Sequence, residues 1–166
     1  MNKALFLDRD GTINVEKNYL YKIEEFEFIP KIFPICKKLQ DDDYIIIVIT
    51  NQSGVARGYY TEEQMNLCNR YMVDKFAEQG IKITDVFCCT SVDNEHPDRK
   101  PNPGMFLKAQ QKYDIDMSKS ISIGDKQRDI DAAAKAGVIN NYFIDKITVS
   151  NGDDIKWDKW AKPFTN

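Results

Sequence analysis

Two aspartates near the start of the chain stand two residues apart, in the segment Asp8-Arg9-Asp10-Gly11-Thr12. In an extended chain such side chains lie on the same side, so one carboxylate can act as a nucleophile while the other transfers protons. The apolar run 3–7 in front of them predicts a buried strand. The pair is therefore expected at the carboxyl end of a strand, where open α/β sheets bind their ligands.

Three further predicted strands also end in polar residues. The second ends at Thr50-Asn51-Gln52-Ser53-Gly54, the third leads to Arg99-Lys100-Pro101, and the fourth ends at Gly124-Asp125. Parallel strands place their carboxyl ends at one edge of a sheet, so we expect these groups to converge. Each segment alone is compatible with a turn or a solvated surface residue, and their joint occurrence in this order favours a site.

The chemistry of these side chains predicts a magnesium-dependent phosphoryl transfer. Carboxylates of Asp8, Asp10 and Asp125 would repel one another unless a cation offsets them, and hard oxygen ligands suit Mg²⁺, which also binds phosphate oxygens. Lys100 would supply a positive charge and Thr50 a hydroxyl donor for the phosphoryl group. Asp8 would attack phosphorus to form an aspartyl phosphate, with Asp10 as acid and base.

The elements that must position these residues alternate between strand-like and helix-like runs. This pattern predicts an α/β fold with a Rossmann-like open parallel sheet flanked by helices. The six apolar residues 44–49 predict a central strand, and Asn151-Gly152 a turn of a terminal hairpin, with Trp157 and Trp160 docked on the core. The remaining predicted strands cover 83–89, 120–123 and 141–144, and the predicted helices cover 32–39, 61–80, 103–113 and 129–136.

Length and charge limit the possible classes of protein. A chain of 166 residues predicts one domain, 1–166, without an insertion large enough for a separate cap, so loops must enclose the substrate. A net charge of −3 without a long basic run disfavours nucleic acid and favours a small-molecule partner. We expect no membrane segment, a cytoplasmic location and four reduced cysteines, because no leader, long apolar span or disulfide framework is recognisable. We also expect a monomer.

The four segments resemble the four motifs of the haloacid dehalogenase superfamily of phosphatases. The matching residues are Asp8 to Thr12, Thr50, Lys100, and Gly124-Asp125 with Asp129, and the resemblance spans nearly all of 3–144. It implies that the first aspartate is the nucleophile, the second the acid and base, and that the threonine and lysine hold the phosphoryl group. With the acid of the fourth motif as a Mg²⁺ ligand, the expected metal set is Asp8, Asp10 and Asp125.

Longer stretches resemble one family of that superfamily, the D-glycero-D-manno-heptose 1,7-bisphosphate 7-phosphatases. These stretches are 26–30, 51–58, 61–64, 99–105 and 124–126. The resemblance implies removal of the C7 phosphate of a sugar bisphosphate in nucleotide-activated heptose synthesis, such as that for lipopolysaccharide. The expected substrate-binding residues are Arg9, Gly11, Glu16, Lys17, Asn18, Tyr19, Asn51, Gln52, Ser53, Arg57, Arg99 and Lys126.

One loop departs from that family, which usually carries cysteine and histidine pairs for a structural zinc. Segment 88–98 is short and lacks the paired spacing; Cys89, His96 and Asp98 could form only an unorthodox site, so zinc is not expected. Two alternatives stay open. One is the same chemistry on another phosphate monoester such as histidinol phosphate, which the Arg57-Gly58 pair disfavours. The other is a phosphoaccepting receiver-like switch module, which the close spacing of Asp8 and Asp10 disfavours.

Overall fold

Five strands form one parallel sheet in the computed structural model, which describes residues 1–158. The order across the sheet is β3-β2-β1-β4-β5, so β1 lies in the middle and β2, the expected central strand, lies between β1 and β3. From β1 the chain adds β2 and β3 on one side, and it then adds β4 and β5 on the other side. This change of side between β1 and β4 creates a crevice at their carboxyl ends. The strands are β1 (Lys3–Leu7), β2 (Tyr44–Asn51), β3 (Ile83–Cys89), β4 (Ile121–Gly124) and β5 (Asn140–Phe143).

Four α-helices cover the two faces of this sheet: α1 (Ile32–Asp41), α2 (Glu62–Glu78), α3 (Gly104–Tyr113) and α4 (Gln127–Lys135). Side chains alternate between the faces along β1. Leu5 and Leu7 therefore join the core under α1 and α2, whereas Ala4 and Phe6 join the core under α3 and α4. The predicted Rossmann-like α/β fold is confirmed, and no separate cap domain is present within 1–158.

Local sequence explains where the helices begin. Thr61 caps α2, because its side chain accepts the Gln64 N–H at 3.1 Å while the Gln64 side chain accepts the Thr61 N–H at 2.8 Å. Helix α1 buries Ile32, Ile35, Cys36 and Leu39, residues at helical spacing that share one face. Among the described helices none is long and apolar enough to cross a bilayer.

The end of the described chain forms the expected hairpin. Strand β6 (Ile147–Ser150) pairs antiparallel with β7 (Asp154–Trp157) through a turn at Asn151–Asp153. Trp157 packs against Tyr142 with 5.0 Å between ring centroids, so its docking on the core is confirmed. Trp160 lies outside the described residues. All four cysteines are free, as expected.

Candidate active site

A pocket of about 330 Å³ opens at the carboxyl edge of the sheet, above the crevice between β1 and β4. The residues that line it follow the carboxyl ends of four strands, β1 to β4, so the predicted convergence of strand ends is confirmed. Charged and amide side chains dominate the lining, which suits a charged polar ligand. The lining residues are Asp8, Asp10, Glu16, Asn18, Tyr19, Asn51, Gln52, Ser53, Tyr60, Arg57, Arg99, Lys126 and Arg128.

Lys100 ties the loop after β3 to the end of β1. Its ammonium donates to Oδ1 of Asp8 at 2.9 Å and to the Ile49 carbonyl at 2.7 Å, and it lies 2.7 Å from Oδ1 of Asp129. Asn51 fixes the main chain of Lys100, because its side-chain amide donates to the Lys100 carbonyl and accepts the Lys100 N–H. Burial would lower the pKa of Lys100, but Asp129 and Asp8 raise it, so the lysine stays charged.

Three carboxylates, those of Asp8, Asp125 and Asp129, offer oxygens within 4.8 Å of one another. The pKa of Asp8 is raised well above its usual value, because burial and the charges of Asp129 and Asp125 outweigh Lys100. Burial, aided by Asp129, also raises the pKa of Asp125. Two crowded carboxylates whose charged forms are disfavoured fit a divalent cation. The fit is strengthened by Oδ1 of Asp125, which is buried without a hydrogen-bond partner among residues 1–158.

Asp129 has a different environment from its two neighbours. Its Oδ2 accepts the N–H groups of Asp125 and Lys126 at 3.2 and 3.0 Å, while Oδ1 faces Lys100. Although burial would raise its pKa, Lys100 and the Lys126 N–H lower it. Asp129 is therefore an ionised side chain that holds the loop of Asp125 and the ammonium of Lys100 in place.

The structure does not place the Asp10 carboxylate with those of Asp8 and Asp125, with which the sequence analysis grouped it. The Asp10 carboxylate turns away from the cluster because Arg9 binds both its oxygens at 3.1 Å. Asn14 and Gln52 donate to the same carboxylate at 3.0 and 2.9 Å. Asp10 still lines the pocket, as Asp8 does, while Asp129 contributes the third carboxylate of the cluster.

Gly11 allows the first loop to approach Asp125 closely. Its φ is +89°, and a Cβ atom there would lie 2.0 Å from Oδ2 of Asp125. Any side chain would displace the Asp125 carboxylate and strain the backbone. Gly11 shapes the carboxylate cluster and does not line the pocket.

Thr50 and Gln52 form the buried floor behind the pocket. Thr50 is 1% exposed, and its Oγ1 accepts the Gln52 amide at 2.8 Å. The amide oxygen of Gln52, Oε1, accepts the Tyr60 hydroxyl at 2.5 Å and an N–H of the Arg9 guanidinium at 3.3 Å. Every polar atom of the Gln52 side chain is therefore engaged by the protein itself.

Two expected substrate-binding residues face elsewhere. Arg9 is fully buried, where it also donates to Asn69 and to the Leu20 carbonyl, so its role is to brace Asp10. Lys17 points away from the pocket and pairs with Glu27 at 3.1 Å on the surface. The expectation that these two side chains bind substrate is not supported by their placement.

Two residues of the pocket were not predicted from the sequence. Tyr60 lines it from the residue that precedes the Thr61 cap of α2, and Arg128 from the first turn of α4. The signal for Arg128 was its position just after Gly124-Asp125, at the same sheet edge. Tyr60 carried no comparable signal, because its contact with Gln52 depends on how the loop 53–60 folds back.

The segment between β3 and Lys100 does not gather metal ligands. Cys89 Sγ lies 3.9 Å from Nδ1 of His96, and that nitrogen accepts the Asp98 N–H at 3.0 Å. The Asp98 carboxylate pairs with Lys108. Within 1–158, Asp8, Asp125 and Asp129 are the group of ligating side chains that lies close enough for a metal. The absence of zinc stays a prediction.

Known proteins similar to this chain include one family model and several phosphatases. The family model described as polynucleotide kinase 3 phosphatase matches residues 3–152. The D-glycero-alpha-D-manno-heptose-1,7-bisphosphate 7-phosphatase of Campylobacter jejuni is 47% identical over 165 residues, covering 99% of this chain and 94% of that protein. The corresponding beta-heptose enzyme of Yersinia pestis is 38% identical over 153 residues, covering 85% and 79%.

A solved structure extends the comparison to the fold and its ligands. The D,D-heptose 1,7-bisphosphate phosphatase of B. bronchiseptica, complexed with magnesium and phosphate, aligns with a TM-score of 0.78 at 31% identity. The alignment covers 85% of this chain and 79% of that one. On these identities and coverages, the chain belongs to the heptose-1,7-bisphosphate 7-phosphatase family of haloacid dehalogenase-like phosphatases.

Proposed function

We propose that the protein is a magnesium-dependent phosphatase that removes the C7 phosphate of D-glycero-D-manno-heptose 1,7-bisphosphate. The observation that carries this proposal is the position of Asp8, which lines the pocket while its carboxylate lies 2.9 Å from the buried ammonium of Lys100. The names and similarity of the relatives support the choice of substrate. The reaction would serve nucleotide-activated heptose synthesis, including that for lipopolysaccharide.

In the proposed mechanism, Asp8 attacks phosphorus and forms an aspartyl phosphate. Lys100 holds the Asp8 carboxylate and offsets negative charge on the phosphoryl oxygens. Asp10, oriented by Arg9, Asn14 and Gln52, gives a proton to the leaving sugar oxygen. The same carboxylate then takes a proton from the water that hydrolyses the intermediate.

Asp8 and Asp125 are the residues that we propose as Mg²⁺ ligands, with Asp129 positioning them. The ion, when bound, would supply the positive charge that offsets the clustered carboxylates and the phosphate. Asp129 is already engaged by Lys100 and two main-chain N–H groups, so its carboxylate is less available than that of Asp125. Zinc has no role in this proposal.

The rim of the pocket fits a substrate with a second phosphate. Arg57, Arg99, Lys126 and Arg128 place four cations around one opening. Arg99 is held by Asn94 and by the Ser91 carbonyl, and Arg57 by Ser53, which keeps both guanidinium groups directed. Glu16, Asn18 and Tyr19 add hydrogen-bonding groups suited to sugar hydroxyls. We propose that these side chains bind the sugar and the phosphate at C1.

We also propose that residues 1–166 form a single domain that acts as a monomer in the cytoplasm on a small sugar phosphate. The size of the pocket suits a small substrate, and four free cysteines suit a reducing compartment. Light scattering of the purified protein tests the monomer directly. A mass of two or more chains would contradict it.

Steady-state phosphate release from a panel of phosphate esters, with and without Mg²⁺, tests the function. The panel contains both anomers of the heptose bisphosphate, histidinol phosphate, other sugar phosphates and an oligonucleotide with a 3′ phosphate. We expect a heptose bisphosphate to have the highest kcat/KM and to yield one phosphate and the sugar 1-phosphate. Preference for another ester would overturn the substrate assignment, and a single phosphate per chain without turnover would indicate a receiver-like switch. Asp8→Asn serves as the inactive control.

A further inference from the structure

Tyr60 makes a contact that the proposed chemistry does not use. Its ring is 6% exposed and stacks on Tyr21 with 5.5 Å between centroids, and its hydroxyl donates to Oε1 of Gln52 at 2.5 Å. Gly54 makes room for the ring, because a Cβ atom there would lie 2.2 Å from Cε1 of Tyr60. The loop is therefore built around this buried tyrosine.

Gln52 connects Tyr60 to two groups of the active site. While Oε1 accepts the tyrosine hydroxyl, Nε2 donates to Oδ2 of Asp10 at 2.9 Å and to Oγ1 of Thr50 at 2.8 Å. An amide has distinct donor and acceptor ends, so the hydroxyl on Oε1 fixes which end faces Asp10. Burial raises the pKa of Tyr60 to about 12, which keeps the hydroxyl a donor at neutral pH.

We propose that Tyr60 is a positioning residue for proton transfer: through Gln52 it holds the Asp10 carboxylate in the direction needed to protonate the leaving oxygen. The inference rests on the proposed phosphatase function and adds to it a named link between the loop 53–60 and the acid. Arg9 donates to both oxygens of the same carboxylate and Asn14 donates to Oδ1, so Gln52 is one of three buried side chains that hold Asp10. Loss of the hydroxyl would leave Gln52 Oε1 with only the longer 3.3 Å contact from Arg9.

The effect of a general acid on the rate depends on the leaving group. Protonation of the leaving oxygen matters most for basic leaving groups and little for a stabilised phenolate. A series of substituted phenyl phosphates, from phenyl to p-nitrophenyl phosphate, therefore separates loss of proton transfer from general damage. These esters carry no sugar hydroxyls, so a lost sugar contact does not affect the comparison.

For Tyr60→Phe we expect kcat/KM for phenyl phosphate to fall roughly five- to tenfold, with less than about a twofold loss for p-nitrophenyl phosphate. Gln52→Met should steepen the dependence on leaving-group basicity further, to roughly a hundredfold loss for phenyl phosphate. With heptose bisphosphate, Tyr60→Phe should lower kcat and leave KM within about twofold of the wild type. Activity on p-nitrophenyl phosphate also shows that each variant is folded.

Tyr113→Phe is the matched control. It removes a hydroxyl that donates to Asp85 at 2.6 Å, a similar bond at the end of α3 and outside the pocket. Its kcat/KM should depend on the basicity of the leaving group as that of the wild type does. Equal losses across the series for Tyr60→Phe, or no loss, would overturn the inference. If the wild type hydrolyses phenyl phosphates but no heptose bisphosphate, the substrate assignment fails while the series still decides the role of Tyr60.

Discussion

The ammonium of Lys100 lies 2.9 Å from Oδ1 of Asp8, although the two residues are 92 positions apart in the chain. Its other close oxygens belong to Asp129 and to the Ile49 carbonyl, each at 2.7 Å. An ammonium has three protons, and these three oxygens surround it. Lys100 thus fixes the Asp8 carboxylate and joins the end of β1 to β2 and to the first turn of α4.

Replacing this lysine tests whether the contact serves catalysis. We expect Lys100→Met to lower kcat for heptose bisphosphate by roughly two to three orders of magnitude, because charge on the phosphoryl oxygens would no longer be offset. Lys37→Met, which removes an exposed lysine paired with Asp41, is the control and should leave kcat unchanged. A Lys100→Met enzyme with kcat near that of the wild type would show that the pair is structural.

We expect the binding of Mg²⁺ to require the carboxylate of Asp125. Chelation is expected to abolish turnover, and Mg²⁺ should raise the Tm of the wild type through binding to the folded state. In Asp125→Asn the increase in Tm should be lost, while the metal-free variant should unfold at or above the wild-type temperature, because repulsion with Asp8 and Asp129 is relieved.

Calorimetry with and without Mg²⁺ measures both effects. Asp74→Asn, at an exposed position of α2, is the control and should respond to Mg²⁺ as the wild type does. Full turnover after chelation, or an unchanged response of Asp125→Asn to Mg²⁺, would contradict the assignment of this ligand.

Arg128 should distinguish bisphosphates from monophosphates. It lines the pocket from the first turn of α4 with an exposed side chain. We expect Arg128→Gln to raise KM for heptose 1,7-bisphosphate roughly three- to tenfold and to leave KM for heptose 7-phosphate unchanged, because one charge-assisted contact with the C1 phosphate is lost. Arg70→Gln, an exposed change on α2, is the control. Equal changes for both substrates would argue against contact with the C1 phosphate.

Asp85, which lies outside the pocket, should make the free energy of unfolding depend on pH. Burial alone would raise its pKa, but hydrogen bonds from Lys112, Tyr113 and the Val86 N–H lower it below the usual value of 3.8. A depressed pKa in the folded state contributes stability above the unfolded pKa, and this contribution is lost as pH falls through the folded pKa.

We therefore expect Asp85→Asn to be less stable than the wild type at pH 7, with the difference disappearing as the pH is lowered below the usual aspartate range. Urea unfolding at a series of pH values measures it. Because the Lys112 side chain of this ion pair is exposed, high salt should reduce the difference. A difference that grows towards acid pH would contradict the assignment.

Much of the scaffold could be predicted because its signals are local. The apolar run before Asp8 and the run 83–89 match β1 and β3, and the Thr61 capping box matches the start of α2. Convergence of the polar strand ends followed from the geometry of parallel strands. The order across the sheet, with β1 in the middle, depends on pairing between distant segments.

The orientation of individual side chains could not be predicted in the same way. The Asp10 carboxylate lies outside the carboxylate cluster because Arg9 and Gln52, buried by contacts across the fold, hold it aside. Arg9 reads as a substrate-binding cation in the sequence, yet its pairing with Asp10 and Asn69 buries it completely. The contact of Gln52 with Asp10 spans 42 positions and that of Arg9 with Asn69 spans 60, so neither leaves a periodic pattern in the sequence.

Trapping the aspartyl phosphate tests the central claim most directly. Enzyme mixed rapidly with heptose bisphosphate and Mg²⁺ is quenched and reduced with borohydride, which converts an acyl phosphate of aspartate to homoserine. Trypsin then cleaves after Arg9 and separates Asp8 from Asp10. We predict substrate-dependent homoserine at position 8, in peptide 4–9. Homoserine at position 10, or neither product while phosphate is released, would contradict Asp8 as the nucleophile.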